Sequence, residues 1–337
     1  MNILSLGHFD AAGVNTRYAK AYNKYGHGSW RTYFLRNEME LSEDINPSIQ
    51  WSELKKIVDE TDIFIVNPIL NDGANDTNIT NDWDTLYSMN DDNRFYFFQY
   101  ILESKKPIVF YINGSNNARK WSFYYNKIFE QLGVHLACST PDLTEYFPKA
   151  KYTPSLIDLE EEFWNLPKYP RGKSFKIGHF PTNPAIKNTK EYLKLSKVME
   201  KDLPIKFNLT MGLPYIQSIN LRRDLDFTFD HLQGYYGINS LESAILGCVN
   251  FVKLQDSYVE MIKEYTGVND LPWTLVNDME DVSKSIEKYI TKPELLDAEH
   301  IRVMEWMRNH WSARIMLDKV DVYFSSLNSN NEEFIKK

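Results

Sequence analysis

The sequence predicts an α/β protein made of two domains, each a doubly wound parallel sheet. Two observations predict this class: short apolar runs alternate with longer helical patterns along the chain, and the alternation breaks off near the middle and then restarts. The 337 residues, 43% of them hydrophobic and 25% charged, are enough for two cores of ordinary size. We therefore expect two Rossmann-like domains in series, facing a cleft.

The first half is predicted to form an N-terminal domain over residues 1–160. Its strands are predicted at 3–6, 63–66, 108–112 and 135–138, and its helices at 15–25, 94–103 and 121–132. Runs of β-branched and aromatic residues bounded by Asn, Pro and Gly indicate strands, and the intervening helices imply parallel pairing. The Asn- and Asp-rich segment 71–92 is predicted to be a loop insertion.

The break between the two halves is predicted at 161–174, in a stretch with several prolines and acidic residues. The second domain, 175–310, is predicted to hold strands at 175–179, 205–209, 226–229 and 249–252, and helices at 189–200, 215–222 and 239–246. A helical tract over 298–327 follows, with a break predicted at Asn309 and His310. Residues 311–337 are expected to pack back on the first domain.

The composition indicates which classes of partner to expect and in which cellular compartment the protein works. The net charge of −8 argues against duplex nucleic acid, which usually needs a broad basic face, although a local basic patch would suffice. Cys138 and Cys248 lie far apart and lack metal-ligand spacing, so we expect two reduced core thiols. The chain shows no signal-peptide pattern and no apolar run approaching the ~20 residues that span a bilayer. We expect a cytoplasmic protein.

The most informative segment is 234–252, GYYGINSLESAILGCVNFV. It predicts a glycine-containing turn that opens a helix, with Glu242 one turn in and Gly247 ending the helix before a buried strand. The N–H groups of residues 237–240 and the helix dipole suit a diphosphate or a sugar hydroxyl. Glu242 is placed to accept hydrogen bonds from a ribose diol. The alternative from this segment alone is an ordinary βα unit with a solvated glutamate.

This segment, G-x-Y-G-x-x-x-L-E-x-x-x-x-G-x-x-x-x-V, resembles the donor-site motif of family 4 glycosyltransferases, which are enzymes of the GT-B fold. Further segments resemble the same family in the same order: 7–17, 139–143 with 152–158, 177–182 with 187–189, and 226–230. The resemblance implies the GT-B fold and transfer of a sugar from a UDP- or GDP-sugar. It also implies a retaining reaction without a metal ion or cofactor, and no DxD-like pair stands out as a metal site.

Carried over by position, the resemblance implies a set of donor-binding residues: Gly13, His179, Thr182, Lys187, Gly237, Asn239, Ser240 and Glu242. Glu242 is then expected to bind the ribose, and Lys187 to neutralise the donor phosphate as a compact positive charge. From the residues alone, Lys187 could equally be one solvated lysine among 38 basic residues.

Two positions depart from the family pattern. The glutamate that the family carries eight residues before the ribose glutamate is Gly234 here, and the histidine after a middle strand of the first domain is Asn113. Both belong to the sugar half of the implied site. Asn113 is therefore one candidate catalytic residue, and His8 with Asp10 could supply a histidine–carboxylate base in the first loop. Whether the reaction is retaining or inverting stays open, as does a catalytically silent sugar-nucleotide binder.

Two stretches that combine basic and aromatic residues bear on the acceptor: 11–37 and 119–125. Each could be an amphipathic element that packs its aromatic rings inward. Each could instead be a surface for an anionic acceptor, a lipid headgroup or nucleic acid. The acceptor therefore remains open among a glycan, a lipid headgroup, a protein and modified DNA, and a peripheral membrane contact is one expectation. A DNA-modifying glycosyltransferase is a variant of the main hypothesis, and a GT-B relative that epimerises sugar nucleotides without an acceptor is a rival to it.

Overall fold

The computed structural model describes residues 1–10, 13–36, 51–67, 100–114 and 116–335. The chain divides into two compact units: the first unit is Met1–Leu156 with Ala313–Lys337, and the second unit is Ile157–Ser312. Each unit contains one wholly parallel sheet with helices in the crossovers. The predicted α/β class with two Rossmann-like sheets is confirmed.

The sheet of the first unit has the strand order β2-β1-β3-β4-β5-β6. Its strands are β1 (Asn2–Phe9), β2 (Ser29–Arg36), β3 (Ile63–Asn67), β4 (Ile108–Ile112), β5 (His135–Cys138) and β6 (Ala150–Tyr152). Its helices are α1 (Val14–Lys24), α2 (Trp51–Glu60), α3 (Asn116–Leu132), α4 (Leu143–Tyr146) and α11 (Ala313–Ile335). Every residue of β3 and β4 is buried, as expected of central strands covered on both faces.

The aromatic rings of the first basic stretch form part of this unit's core. Tyr18 stacks on Trp30 with their ring centroids 5.5 Å apart, and Tyr22 meets the same ring edge-on at 5.5 Å. The indole N–H of Trp30 donates to Ser5 Oγ at 2.7 Å. The amphipathic alternative is therefore right for these rings, and an acceptor surface built from them is wrong.

The last helix belongs to the first unit. Phe324 of α11 packs edge-on against Trp30, with ring centroids 5.9 Å apart. His27 Nδ1 and the Asp321 carboxylate form a short contact beside it. The break in the C-terminal tract falls at Trp311 and Ser312, since the preceding helix, Pro293–His310, ends just before them and α11 begins at Ala313. The predicted break at Asn309 and His310 was two residues early.

The sheet of the second unit has the strand order β11-β10-β9-β7-β8. Its strands are β7 (Phe175–His179), β8 (Ile205–Leu209), β9 (Phe227–Phe229), β10 (Val249–Val252) and β11 (Thr274–Leu275). Its helices are α5 (Thr189–Asp202), α6 (Tyr215–Arg222), α7 (Ile238–Ile245), α8 (Asp256–Thr266), α9 (Met279–Thr291) and α10 (Pro293–His310). Stacked aromatic rings such as Phe227 and Phe251, 5.9 Å apart, fill the core between sheet and helices.

The segment predicted as a linker, 161–174, is bonded to the second unit. The ammonium of Lys168 donates to the carbonyl of Leu225 at 2.6 Å. Arg171 forms an ion pair with Asp226, with 2.6 Å between Nε and Oδ1. These contacts hold the segment against the start of β9. None of the helices that the described residues form is long and apolar enough to cross a membrane.

One buried histidine of α10 gives the second unit a pH-dependent stability. His300 donates from Nε2 to the carbonyl of Asp226 at 3.1 Å. Burial, reinforced by the positive charge of Lys168, lowers the pKa of His300 to about 3. An unfolded histidine titrates at about 6.5. The contribution of neutral His300 to the free energy of unfolding is therefore fully present above about pH 6.5 and decreases as the pH falls toward 3. At pH 5 the decrease is about 2 kcal/mol.

Urea unfolding at neutral pH and near pH 5 tests this expectation. Between the two conditions the wild type should lose about 2 kcal/mol more than His300→Gln, whose amide keeps a donor for the same carbonyl but does not titrate. His310→Gln, also on α10, should behave as the wild type. Equal losses in the wild type and His300→Gln would contradict the assignment.

Candidate functional site

The predicted donor-binding residues of the second unit gather at the carboxyl edge of its sheet. His179 ends β7, Asp230 directly follows β9, and α7 begins after the turn that contains Gly234 and Gly237. Because β7, β9 and β10 run parallel, the loops that leave them meet at this edge. In open α/β sheets this edge is where ligands bind.

The turn before α7 is closed by hydrogen bonds from within the chain. The N–H of Gly237 donates to Oδ2 of Asp230 at 2.8 Å. The N–H and the hydroxyl of Ser240 both donate to the carbonyl of Gly237, at 3.0 and 2.7 Å. The expectation that all N–H groups of residues 237–240 face a ligand is therefore wrong for Gly237 and Ser240. The N–H groups of Ile238 and Asn239 remain, which in a first turn have no intrahelical acceptor.

Asp230 is a buried carboxylate beside a lysine ammonium and a histidine ring. Lys187 Nζ lies 3.3 Å from its Oδ1, and Nε2 of His231 lies 3.6 Å from its Oδ2. Burial by itself would raise the pKa of Asp230, but His231, Lys187 and the N–H of Gly237 together lower it to about 2. Asp230 therefore carries a fixed negative charge beside the start of α7.

The loop that carries Lys187 is attached to the same turn. Asn188 adopts a left-handed conformation at φ 55°, and its Oδ1 accepts from the N–H of Leu232 at 2.9 Å. The ammonium of Lys187 would lie 3.2 Å from a Cβ atom placed on Gly237. The same Cβ atom would lie 3.2 Å from Oδ2 of Asp230, so a side chain at position 237 would require the Lys187 and Asp230 side chains to shift by a few tenths of an ångström.

Glu242 faces a buried arginine that sequence reasoning missed. Arg222 Nη2 lies 3.5 Å from Glu242 Oε2, and the two side chains are only 1% and 4% exposed. The same guanidinium donates to Asn239 Oδ1 at 2.6 Å and lies over the ring of Phe180, 4.0 Å from its centroid. The alternative of a solvated glutamate is wrong, since this carboxylate is buried beside a cation.

The remaining donor candidates of this unit differ in accessibility. The amide of Asn239 is used within the chain, because it accepts from Arg222 and donates to the carbonyl of Phe180 at 2.8 Å. His179 is buried; its Nδ1 is 2.9 Å from the carbonyl of Phe229 and its Nε2 is 2.9 Å from Thr189 Oγ1. Burial lowers the pKa of His179, which favours a neutral ring that donates from Nδ1. Thr182 is exposed in the loop after β7.

The candidates of the first unit lie at the carboxyl edge of its own sheet. β1 runs through Phe9, so His8 belongs to a strand and not to the first loop as expected; its side chain lies outside the described part of the chain. Asp10 is buried and accepts from the N–H groups of Asn15 and Thr16 at 3.0 and 2.7 Å. It therefore caps the start of α1, and a pairing of Asp10 with His8 remains a prediction.

Gly13 and Asn113 also lie in loops at this edge. Gly13 immediately precedes α1 with φ at 64°, a left-handed conformation that glycine adopts without strain. Its N–H donates to the carbonyl of Asp10 at 2.9 Å. Asn113 directly follows β4 and is partly exposed. Since β1, β3 and β4 are neighbours, the structure brings Asp10, Asn67 and Asn113 to one end of the sheet.

No protein-family model and no curated protein sequence matches the chain. Solved structures are similar over nearly its whole length. For a glycosyltransferase from Rickettsia africae the TM-score is 0.60 at 13% identity, over 97% of this chain and 98% of that one. For an α-glucosyltransferase in complex with UDP and a 13-mer DNA containing an HMU base, the TM-score is 0.63 at 10% identity, over 96% of this chain and 99% of that one. For HepE of Anabaena in complex with UDP, the TM-score is 0.57 at 10% identity, over 97% of this chain and 100% of that one.

These similarities establish the architecture. The chain adopts the GT-B fold, as the resemblance of its donor motif predicted. At 10 to 13% identity they show the fold alone, and one fold can carry different chemistries.

Proposed function

We propose that the chain is a glycosyltransferase that takes a sugar from a UDP- or GDP-sugar, by a retaining reaction that needs no metal ion. The observation that carries the proposal is the cluster at the carboxyl edge of the second sheet, where Lys187, the first turn of α7 and Glu242 come together. The GT-B fold supports the proposal, because a crystal structure of HepE, which shares this fold, contains bound UDP-glucose.

The cluster offers complementary groups for the two halves of a nucleotide. The ammonium of Lys187 and the positive end of the α7 dipole would attract a diphosphate, and the N–H groups of Ile238 and Asn239 would donate to its oxygens. Exposed Thr182 would add a hydroxyl. Glu242, one turn into α7, would accept hydrogen bonds from the ribose.

The first unit would supply the groups that act on the sugar and the acceptor. Asn113, His8 and Asp10 are the candidates for this role, and Gly13 would bring backbone close to the donor phosphate. In a retaining reaction the donor phosphate itself can accept the proton of the acceptor, so no side-chain base is required. His8 with Asp10 would provide one if the reaction inverts.

Calorimetry with UDP, GDP and ADP tests the nucleotide part of the proposal. Saturable binding of UDP or GDP is expected, and Glu242→Gln should weaken it about tenfold because the ribose loses a charged acceptor. Glu264→Gln, an exposed substitution on α8, should leave binding unchanged. Absence of binding by folded wild-type protein for the whole panel would refute the proposal.

A catalytically silent sugar-nucleotide binder is the second candidate, and Gly234 favours it. This residue has φ at 91°, and a Cβ atom there would lie 3.2 Å from Cγ of Gln255. No carboxylate can be built at this position without strain. Incubation with radiolabelled UDP- and GDP-sugars decides between the two. Release of labelled sugar to water, or transfer to a glycan, a lipid, a protein or DNA with an HMU base, would exclude the silent form.

A further inference from the structure

The outer face of α3 in the first unit carries an unusual cluster of exposed aromatic and basic side chains, which we name the α3 patch: Lys120, Trp121, Phe123, Tyr124 and Lys127. Phe123 is 64% exposed and Tyr124 is 45% exposed. Exposed aromatic side chains that adjoin one another mark an interaction surface.

The rings of the α3 patch are continuous with one another. The ring centroids of Trp121 and Tyr124 lie 5.7 Å apart, and those of Phe123 and Tyr124 lie 5.8 Å apart. Asn126 of α3 donates to the backbone carbonyl of Tyr146 at 2.7 Å, which holds the end of α4 beside α3. The aromatic surface is therefore formed by neighbouring rings of α3.

The charge of the patch is positive, although the whole chain carries −8. Lys120 Nζ lies 4.7 Å from the ring centroid of Trp121, and Lys127 Nζ lies 4.2 Å from that of Phe123. Neither lysine forms an ion pair within the described part of the chain. Among the carboxylates between Asn116 and Tyr146, Asp142 is paired with Arg119, Glu130 is paired with Lys149, and Glu145 is exposed.

We propose that the α3 patch docks on the surface of a bilayer that contains anionic lipids. Tyrosine and tryptophan favour the headgroup region, phenylalanine enters the acyl boundary, and lysine stems lie along apolar surface with their ammonium groups at the lipid phosphates. The patch presents all of these on consecutive turns of one helix. This inference stands on the patch alone and does not require the proposed function.

The placement of the lysines favours a membrane over single-stranded nucleic acid. A base stacks on the face of an aromatic ring, and ammonium groups already cover a face of Trp121 and of Phe123. Phe123, the most exposed ring, also has no polar atom for hydrogen bonding to a base. A membrane can accommodate a lysine beside an aromatic ring, because the ring enters the lipid while the lysine ammonium stays at the headgroups.

The position of α3 gives the docking a consequence. The helix begins three residues after Asn113, and so it leaves from the carboxyl edge of the first sheet. Docking would hold that edge close to lipid headgroups. This consequence, unlike the docking, rests on the proposed function: a lipid acceptor would then meet Asn113 without leaving the membrane surface.

Flotation with vesicles tests the proposal. We expect binding to vesicles of phosphatidylcholine with phosphatidylglycerol, weakened by added salt, and little binding to phosphatidylcholine alone. The double substitution Phe123→Ala with Tyr124→Ala should lower partitioning at least about tenfold. Lys120→Gln with Lys127→Gln should lower it about tenfold, on anionic vesicles only.

A matched control is Ile301→Ala, which removes an exposed apolar side chain from α10 in the second unit and should leave partitioning unchanged. All substituted residues lie at the surface, so unfolding midpoints should match the wild type. The proposal fails if the patch variants partition as the control does, or if neutral and anionic vesicles bind alike. It also fails if single-stranded DNA binds, the same variants abolish that binding, and no vesicle is bound.

Discussion

Arg222→Ala is expected to lower the free energy of unfolding of the second unit by about 3–5 kcal/mol, the cost of removing one partner of a buried ion pair. The guanidinium of Arg222 is 1% exposed and faces the Glu242 carboxylate at 3.5 Å. It also donates to Ser218 Oγ at 2.7 Å and to Asn239 Oδ1 at 2.6 Å. Alanine would remove all of these contacts together with the packing over Phe180.

Urea unfolding measures this effect, and two further variants interpret it. Glu280→Ala breaks an exposed ion pair with Lys284 and should cause no measurable loss. Arg222→Met with Glu242→Gln removes both charges while keeping the volume, and should recover a large part of the stability lost in Arg222→Ala. A stability of Arg222→Ala equal to that of the wild type would show that the pair contributes nothing to the fold.

Many of the regular elements were predictable from local pattern, although α2, α8 and α9 lie where no element was predicted. β8, β10 and α6 lie where the sequence predicts them, because short apolar runs end at turn residues and the helix follows Pro214. β2 (Ser29–Arg36) was missed, because its mixture of basic and aromatic residues suggested an amphipathic element or a binding surface and not a strand. It lies at one edge of the sheet that the described residues form, and edge strands commonly carry charge. Arg31 is exposed whereas Trp30 and Tyr33 are buried, so of these three only the basic residue reports solvent contact.

The candidate site was predictable only as far as its motif extends. The sequence places Lys187 in a loop and Glu242 one turn into a helix at the same sheet edge, but it cannot show that Arg222 faces Glu242. That pairing depends on how the end of α6 meets the first turn of α7, across 20 residues of chain. Asp230 shows the same limit. Its bond to the N–H of Gly237 depends on a turn conformation that no residue pattern specifies, and it removes one of the N–H donors that the motif suggested.

Lys187→Ala is expected to weaken UDP or GDP binding by about tenfold to a hundredfold, the loss of a charge-assisted hydrogen bond to phosphate. The effect has a second source in Asp230. Without the ammonium 3.3 Å away, this buried carboxylate would keep its negative charge beside the start of α7 and repel a diphosphate. Uridine and guanosine, which lack phosphate, should bind the variant and the wild type equally.

Calorimetry with the nucleotide and the matching nucleoside separates the two sources. Adding Asp230→Asn to Lys187→Ala removes the repelling charge and should restore part of the lost affinity, whereas a site that depended on Lys187 alone would gain nothing. Lys190→Ala, an exposed substitution three residues along the chain, is the matched control and should bind as the wild type. If Lys187→Ala weakened nucleoside and nucleotide to the same extent, Lys187 would act by shaping the loop. Its charge would then not be what holds the donor phosphate.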